Sequence, residues 1–386
     1  MSMLAIGLGT IIQIRNRGPL GSGFLIPHVT TAAYLTPSII AARVGGMALV
    51  LGMTIMAGLF EGILSRFMKK LRVLFPPEVS GVVVAMIGFS LARAAILRLV
   101  GLNGSDSVIE SAELLVGGVT LSTMVAFVVW SKGSFRLYSA AIGLAIGYGL
   151  AIVVGVSDSS FLDVIAAAPL IALPSWEHPG LSFDIYLILP FLIGALASTV
   201  KASGVVINCQ KVNDPDWKRA DMVSVGKGML ADGIGCSFSG LLGGMGTSMS
   251  AANVGLSMAT GATSRRVGYF IGFFFLLLVF LPKFSVILTL MPPPVMGAGL
   301  LYVASYLIAS GIQLIMTRMM DSRRTFIVGL SFLAGISLEV VPVLHQNLPA
   351  WAVSIFGSSL TVATIVAFVL NLIFRIGISQ KASLLL

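Results

Sequence analysis

The chain has 386 residues, of which 57% are hydrophobic and only 10% carry a charge. A soluble domain has about 25% charged residues because its surface faces water, so 24 basic and 15 acidic side chains cannot cover a soluble globule of this size. Composition therefore excludes a soluble enzyme, a disordered protein and a nucleic-acid-binding protein, in spite of the net charge of +9.

Long apolar stretches predict a polytopic membrane protein, since about 20 apolar residues cross the hydrocarbon core and backbone groups there must be bonded within the segment. Spans are predicted near residues 44–65, 79–100, 114–131, 137–157, 185–208, 228–245, 268–290, 295–317, 325–342 and 350–373. Two further segments, near 22–41 and 247–262, are apolar but interrupted. Residues 1–13 resemble the second half of another span and lack the features of a signal peptide.

The placement of basic residues predicts the orientation. Most Lys and Arg residues fall in alternate loops, whereas the opposite loops at 101–113 and 158–184 contain acids and no Lys or Arg. Because loops rich in Lys and Arg face the cytoplasm, we expect a cytoplasmic C-terminus in a plasma (inner) membrane protein. The same threading places Met1 at the outer side in mid-span, so we expect that the first helix is missing.

Two short motifs indicate an internal repeat. Pro76-Pro77-Glu78-Val79-Ser80-Gly81 opens one predicted span and Pro292-Pro293-Pro294-Val295-Met296-Gly297 opens another. By the orientation above, they enter the membrane from opposite faces, which is typical of an inverted repeat. An interrupted segment precedes each motif in the chain, so the repeat places the two interruptions at matched positions.

The interruptions predict a site at the middle of the membrane. Pro27 and Pro37 in the first segment, and the run of small residues at 246–252 in the second, favour non-helical backbone. Such backbone is tolerated at membrane depth only where it is buried in protein or lines a cavity. Half-helix N-termini there could hold a polar ligand. The alternative is ordinary kinking of two helices, which leaves the matched positions unexplained.

The second interrupted segment carries a family resemblance. The stretch Ala252-Asn253-Val254-Gly255-Leu256-Ser257-Met258-Ala259-Thr260-Gly261 resembles the signature of the nucleobase–ascorbate transporters, the xanthine/uracil permease family, in which a Gln, Glu or Pro precedes N-x-G-x-x-x-x-T. The other agreeing pieces are Leu230-Ala231-Asp232-Gly233, Thr263-Ser264-Arg265, Phe75-Pro76-Pro77 with Gly81, and Gly21-Ser22-Gly23-Phe24. The resemblance covers nearly the whole chain, from the family's second span to its fourteenth.

The resemblance implies an all-α polytopic fold of fourteen segments in two inverted halves of seven, with the first segment absent from this chain. Two segments that combine a half-helix with a short strand would cross at the midplane. The core domain would comprise residues 1–65 and 184–291, and the gate domain residues 66–157 and 292–386. Homodimers and proton coupling are typical of the family.

The resemblance also implies where the substrate binds, and this chain departs from the family there. Members typically hold the base with polar side chains in segment 8 and at the start of segment 10, where this chain has Lys201 and Ala252. Phe24 and Ala251 fall where backbone contacts would come from. The expected substrate-binding residues are Phe24, Lys201, Ala251, Ala252, Asn253 and Gly255. Asn253 could read a base edge or tie the broken backbone together.

Buried charges in the spans need a partner. A Lys at the centre of a span costs about 2.5–3.5 kcal/mol, so Lys201 is interpreted as a cation in the substrate cavity, the alternative being that it reaches the cytoplasmic interface. Asp232, in the next span, is the expected partner of Lys201 and a carboxylate for proton coupling, or else a structural acid. His28 and Thr260 complete the set expected to serve in proton coupling or in structure. Glu61 is interpreted as interfacial or structural, with Arg93 as one available partner.

These interpretations predict a secondary active transporter for a nucleobase such as xanthine, urate or uracil, or for a related anionic heterocycle, which works by alternating access with proton coupling. The alternative is a transporter or channel for an inorganic or small organic anion on the same fold. No nucleophile, base and orienter face each other on the predicted spans, so no enzyme is expected, and neither a cofactor nor a metal. The expected partners are a small-molecule substrate, the lipid bilayer and a second copy in a homodimer.

Overall fold

The computed structural model describes eleven stretches of the chain: residues 1–16, 18–71, 76–102, 110–156, 160–174, 178–214, 216–217, 220–250, 263–317, 319–341 and 359–374. The helices are α1 (Ser2–Ile14), α2 (Leu35–Leu71), α3 (Pro77–Leu99), α4 (Ser111–Trp130), α5 (Ser134–Leu137), α6 (Ser139–Val154), α7 (Ser160–Ala167), α8 (Ile185–Asn213), α9 (Met222–Leu241), α10 (Arg265–Leu278), α11 (Pro282–Thr289), α12 (Pro293–Ile315), α13 (Ser322–Val340) and α14 (Ser359–Ile373). Two strands, β1 (His28–Thr30) and β2 (Thr247–Met249), and a short 3-10 helix at Ala32–Tyr34 accompany them.

Within the described residues, five helices are long and apolar enough to cross a membrane: Ala32–Phe67, Pro77–Leu99, Ser111–Trp130, Ile185–Asn213 and Pro293–Ile315. The bent pair α10 and α11 makes a sixth if it is counted as one span. Large apolar side chains such as Val153, Phe270 and Leu333 are exposed on the helices. An apolar surface of this extent suits contact with lipid rather than water.

Local sequence explains where several helices begin. The side chains of Asp184, Asp221, Ser264 and Asp321 accept hydrogen bonds from backbone N–H groups in the first turns of α8, α9, α10 and α13. A side-chain oxygen at this position satisfies one of the N–H groups that a helix start leaves unpaired. Proline occupies the first turn of α3, α11 and α12, where its missing N–H costs nothing.

The predicted span at 268–290 is wrong as a single helix. The chain turns by 90° between α10 and α11, at the point where Pro282 begins α11. Proline cannot donate a hydrogen bond to the preceding turn and its ring clashes with the carbonyl four residues earlier, so a continuous helix breaks there.

The first interrupted segment is broken, as its sequence predicts. Strand β1 follows Pro27, and the chain then passes through the 3-10 helix at Ala32–Tyr34 into α2. A second interruption lies inside α2, where Gly45 and Gly46 have non-helical backbone angles. Gly46 has a φ of +68°, which a glycine adopts without the steric cost that a side chain would add. The second interrupted segment is described only up to residue 250 and begins with β2.

The two Pro-Pro motifs open helices of the same length that pack against each other. Helices α3 and α12 each contain 23 residues and each begin with proline. Gly81 near the start of α3 contacts Ile315 at the end of α12, and Gly297 near the start of α12 contacts Leu99 at the end of α3. The helices are therefore antiparallel, as two equivalent elements related by an inverted repeat would be.

The helices pack in two groups. One group contains α1, α2, α8, α9 and α10 together with both strands, and the other contains α3, α4, α6, α12, α13 and α14. The groups meet where α3 contacts α8 and the 3-10 helix and where α14 contacts α8. A cluster of buried apolar side chains from α3, α8, α12, α13 and α14 fills this boundary. The two strands lie inside the first group, which positions the candidate site.

Candidate functional site

The candidate site forms where the two strands cross. β1 pairs with β2 antiparallel, with His28 opposite Met249, Val29 opposite Ser248 and Thr30 opposite Thr247. The pairing continues beyond the strands, because the N–H of Thr31 donates to the carbonyl of Gly246 at 3.0 Å and the N–H of Ser250 donates to that of Pro27 at 3.0 Å. At this point the backbones of the two interrupted segments thus pair with each other instead of forming helices.

Lys201 lies inside the protein beside this crossing. It stands 16 residues after the start of α8 and 12 before its end, roughly 24 Å and 18 Å along a helix. The side chain is 5% exposed, and Nζ donates a hydrogen bond to Oγ1 of Thr31 at 3.0 Å. Burial of this kind does not agree with the alternative that Lys201 reaches the cytoplasmic interface.

Asp232 on α9 is held by the second strand. Its Oδ2 accepts a hydrogen bond from the hydroxyl of Ser248 at 2.9 Å, and its Oδ1 accepts one from the backbone N–H of Met249 at 2.9 Å. Nε2 of His28 lies 3.6 Å from Oδ1. The expected ion pair with Lys201 does not form among the described residues. Lys201 instead donates to Thr31, the residue after β1, and Asp232 accepts from Ser248 of β2. The two charges still lie close enough to act on each other.

His28 is enclosed rather than open to a cavity. The side chain is fully buried, with its ring between Gly9 of α1 and Gly235 of α9. A Cβ atom added at Gly9 would lie 2.7 Å from Nδ1 of the ring, and one added at Gly235 would lie 2.9 Å from Nδ1. The two glycines therefore leave the space that the imidazole fills, and Nε2 of the ring faces Oδ1 of Asp232.

Sequence reasoning missed a second buried acid at this site. Oε1 of Glu61 on α2 accepts a hydrogen bond from the hydroxyl of Tyr34 at 2.8 Å, and both side chains are buried. The suggested partner Arg93 instead pairs with Glu339, with Nη1 and Oε2 2.8 Å apart. A signal was present in the sequence: Gly58, three residues before Glu61, lies on the same helix face, and Gly58 and Gly62 are four residues apart, a spacing of small residues that marks a close helix contact.

Phe24 lies between a polar cavity and a buried apolar cluster. It lines a polar cavity of about 410 Å³ at the end of α8 and the starts of α9 and α10. Gln210, another lining residue, is nine residues from Lys201 along α8, or roughly 14 Å. The cavity is lined by Asn16, Ser22, Phe24, Gln210, Asn213, Asp214, Trp217, Asp221, Val223, Ser224, Lys227 and Arg265. Phe24 also packs against a buried apolar cluster that contains Ala202, the residue after Lys201 on α8, and Met249 of β2.

The remaining expected site residues lie outside the described part of the chain. These are Ala251, Ala252, Asn253, Gly255 and Thr260. The structure brings together Lys201, Asp232 and His28 around the strand crossing, and adds Glu61, Tyr34, Thr31 and Ser248 to them. In the described stretches, no group of three His, Cys, Asp or Glu residues could hold a metal ion.

The chemistry of this arrangement suits the binding of a polar solute. One buried cation and two buried acids share a small volume with several hydroxyl groups. The hydroxyls of Ser198, Thr199 and Thr247 are buried without a hydrogen-bond partner in the described part of the chain. Buried polar groups are normally paired, so each such group calls for an explanation, and a bound solute would supply the missing partners.

Comparison with known proteins agrees with a membrane transporter. The family model Xan_ur_permease, described as a permease family, matches residues 1–344. A Clostridium perfringens protein provisionally named a purine permease is 30% identical over 376 residues, which cover 97% of this chain and 81% of that protein. The xanthine permease XanP of Escherichia coli is 29% identical over 97% of this chain and 83% of its own length. The uric acid permease PucJ of Bacillus subtilis is 28% identical over 97% and 84%.

Solved structures with little sequence similarity share the fold. The transmembrane domain of the cyanobacterial bicarbonate transporter BicA aligns with a TM-score of 0.57 at 12% identity, over 96% of this chain and 88% of that one. SLC26A9 aligns with a TM-score of 0.58 at 12% identity, over 97% and 65%.

The expected family is confirmed by these comparisons. The matched relatives are permeases rather than enzymes, in agreement with the expectation from the sequence. The match over residues 1–344 and the relatives that align along nearly the whole chain show that this multi-pass membrane protein belongs to the xanthine/uracil permease family.

Proposed function

We propose that the protein is a secondary active permease for a nucleobase such as xanthine, urate or uracil, or for a related anionic heterocycle. The observation that carries this proposal is the buried Lys201 beside the crossing of two broken spans. Three relatives carry the names of purine, xanthine and uric acid permeases. The compounds in these names are flat heterocycles with several hydrogen-bonding groups. The substrate-binding residues of the proposal are Lys201 at the crossing, Phe24 towards the polar cavity, and Ala251, Ala252, Asn253 and Gly255 of the second broken segment.

Lys201 sets the charge that the substrate should carry. Its ammonium group has three donors, of which one is used by the neutral hydroxyl of Thr31. Within the described residues, two donors and the positive charge remain for other acceptors, so a substrate with negative character gains most from binding there. Xanthine and urate lose ring protons more readily than uracil, and the proposal therefore ranks them above uracil.

The transport cycle is alternating access on a fold of seven plus seven segments. The core domain comprises residues 1–65 and 184–291, and the gate domain residues 66–157 and 292–386. The division is supported by the two packing groups, because α2, α8 and α9 fall in one and α3, α4 and α12 in the other. Movement of one group against the other would open the strand crossing first to one side of the membrane and then to the other.

The setting of the proposal is the plasma (inner) membrane, with the C-terminus in the cytoplasm and two copies forming a homodimer. The orientation is supported by the bias of Lys and Arg in the loops. Uptake is coupled to protons, for which the buried acids beside Lys201 provide sites.

Transport by the purified protein in proteoliposomes tests the proposal. Uptake of radiolabelled xanthine, urate, uracil and sulfate is compared, with empty liposomes as the control. We expect saturable uptake of xanthine or urate that the unlabelled compound inhibits. Uptake of sulfate alone, or no uptake of any heterocycle, contradicts the proposal.

A second candidate function is the transport of a small inorganic or organic anion. It is favoured by the cation at the crossing and by a fold shared with a bicarbonate transporter. The same assay separates the two functions, because sulfate or bicarbonate would then compete with heterocycle binding or replace it.

A further inference from the structure

Glu61 is a buried acid whose surroundings leave it poorly paired. The side chain is 1% exposed. Its Oε1 accepts the hydrogen bond from Tyr34 at 2.8 Å. The hydroxyl of Ser198 faces the carboxyl group, but among the described residues Oε2 has no partner with the distance and angle of a hydrogen bond. The acid is held against α9, where a Cβ atom at Gly233 would lie 3.1 Å from Cβ of Glu61.

Asp232, on the neighbouring helix α9, accepts more hydrogen bonds than Glu61. Each of its oxygens accepts a hydrogen bond, from Ser248 and from the backbone of Met249, and His28 lies beside one of them. An ionised carboxylate offers about four acceptor sites, and each hydrogen bond that it accepts lowers the cost of burying its charge. Asp232 accepts two such bonds and Glu61 accepts one. The structure is therefore suited to a charged Asp232 and poorly suited to a charged Glu61.

Charge balance in the cluster leads to the same conclusion. Lys201, Asp232 and Glu61 are all buried in the helix group that contains the two strands, with 5%, 1% and 1% of each residue exposed. With Asp232 ionised and Glu61 protonated, the three groups sum to zero charge. With both acids ionised, they carry a net negative charge away from water, which is expensive.

We propose that Glu61, rather than Asp232, carries the proton that accompanies the substrate through the membrane. The inference rests on the proposed function, because it names the coupling residue of that transporter. An O–H bond forms at Glu61 when a proton arrives from the outer aqueous side, and it breaks when the proton leaves to the cytoplasmic side. No electron is transferred and no other reactant is consumed.

The groups that face Glu61 come from each element packed against this part of α2. They are Tyr34 from the 3-10 helix, Asp232 and Cys236 from α9, and Lys201 and the neutral Ser198 from α8. His28 of β1 stands behind Asp232. Of these groups, Tyr34 is the one that donates a hydrogen bond to the Glu61 carboxyl group, at 2.8 Å, among the described residues.

This arrangement couples the proton to an anionic substrate. When Lys201, Asp232 and protonated Glu61 sum to zero, a bound anion adds one negative charge, and loss of the Glu61 proton would add a second. The anion and the proton therefore favour each other's binding, and linkage requires that each raises the affinity of the other by the same factor.

The experiment uses proteoliposomes that contain the full chain or the variant Glu61→Gln, with the heterocycle that the unchanged protein transports. Two assays are compared: accumulation driven by an inward proton gradient, and exchange of labelled for unlabelled substrate without a gradient. Because Gln keeps the shape and cannot release a proton, we expect accumulation to fall by about tenfold or more while exchange continues. Ionisation of the substrate itself is measured separately. After this correction, substrate affinity should weaken with rising pH in the unchanged protein, and this dependence should be lost in the variant.

Three outcomes overturn the inference. The first is gradient-driven accumulation by Glu61→Gln at the level of the unchanged protein, and the second is loss of both exchange and accumulation in a folded variant. The third is uptake by the unchanged protein that does not depend on the proton gradient. Absence of heterocycle uptake by the unchanged protein instead defeats the proposed function itself. Tyr34→Phe provides a second test if Glu61→Gln does not fold. It removes one donor to the charged form of Glu61, so the pH profile of uptake should move to higher pH, and an unmoved profile also contradicts the inference.

Discussion

Lys201 shows how a buried cation can be kept available for a ligand. Its recorded hydrogen bond goes to a neutral hydroxyl, that of Thr31, rather than to a carboxylate. A direct ion pair with Asp232 would have satisfied both groups and lowered the gain from binding an anion. The strands prevent this, because β2 engages Asp232 and the residue after β1 engages Lys201.

Removal of this cation should weaken the binding of anionic substrates. For Lys201→Met we expect the affinity for the transported heterocycle to fall by about 10- to 100-fold, since a hydrogen bond to a charged group contributes about 1.5–3 kcal/mol. Substrate binding to the purified protein measures this. Lys132→Met, in the exposed turn between α4 and α5, is the matched control and should bind normally. Unchanged affinity in Lys201→Met would remove Lys201 from the site.

Ser248 should contribute to stability through Asp232. Ser248→Ala removes one of the two hydrogen bonds that the carboxylate accepts, and we expect a loss of about 1.5–3 kcal/mol in the free energy of unfolding. A lower midpoint in a thermal-unfolding assay in detergent would show this. Ser131→Ala, in a loop, serves as the control, and equal midpoints for the two variants would contradict the assigned role.

At the scale of elements, α3 and α12 meet through backbone. A Cβ atom at Gly81 would lie 2.6 Å from the carbonyl oxygen of Gly311, and one at Gly311 would lie 2.6 Å from that of Gly81. Glycine at these positions lets two helix axes approach more closely than larger side chains allow, which is how helices associate where water supplies no driving force.

A single methyl group at this contact should be costly. Gly311→Ala places Cβ 2.5 Å from the backbone nitrogen of Ala85, and overpacking of this kind costs about 1–3 kcal/mol. We expect a lower thermal midpoint and less protein recovered as a single species by size-exclusion chromatography. Gly149→Ala on α6 is the matched control, because nothing lies within 4 Å of its added Cβ. Equal behaviour of the two variants would show that the α3–α12 contact is looser than described.

At the scale of the whole molecule, the orientation can be tested with introduced cysteines. Both native cysteines, Cys209 and Cys236, are buried, so they give a low background. We expect His178→Cys, before α8, to react with a membrane-impermeant maleimide on intact cells. Lys132→Cys should react only after the membrane is permeabilised. The reverse labelling pattern would invert the predicted topology.

The sequence was sufficient for features that depend on local composition. Apolar length predicted most helices, Pro27 predicted the broken first segment, and the Pro-Pro motifs predicted two matched helices. It was insufficient where distant residues meet. The Glu61–Tyr34 hydrogen bond and the attachment of Asp232 to β2 depend on how helices pack. The 90° turn before Pro282 was missed because the apolar run continues through it.

The pairing of β1 with β2 has a consequence for how such a protein changes over evolutionary time. Main-chain hydrogen bonds hold the strand crossing together, so its backbone shape depends little on which side chains it carries. Side chains at the crossing can therefore be exchanged without loss of the main-chain pairing between β1 and β2. A lineage can therefore come to transport different solutes through the exchange of a few neighbouring side chains.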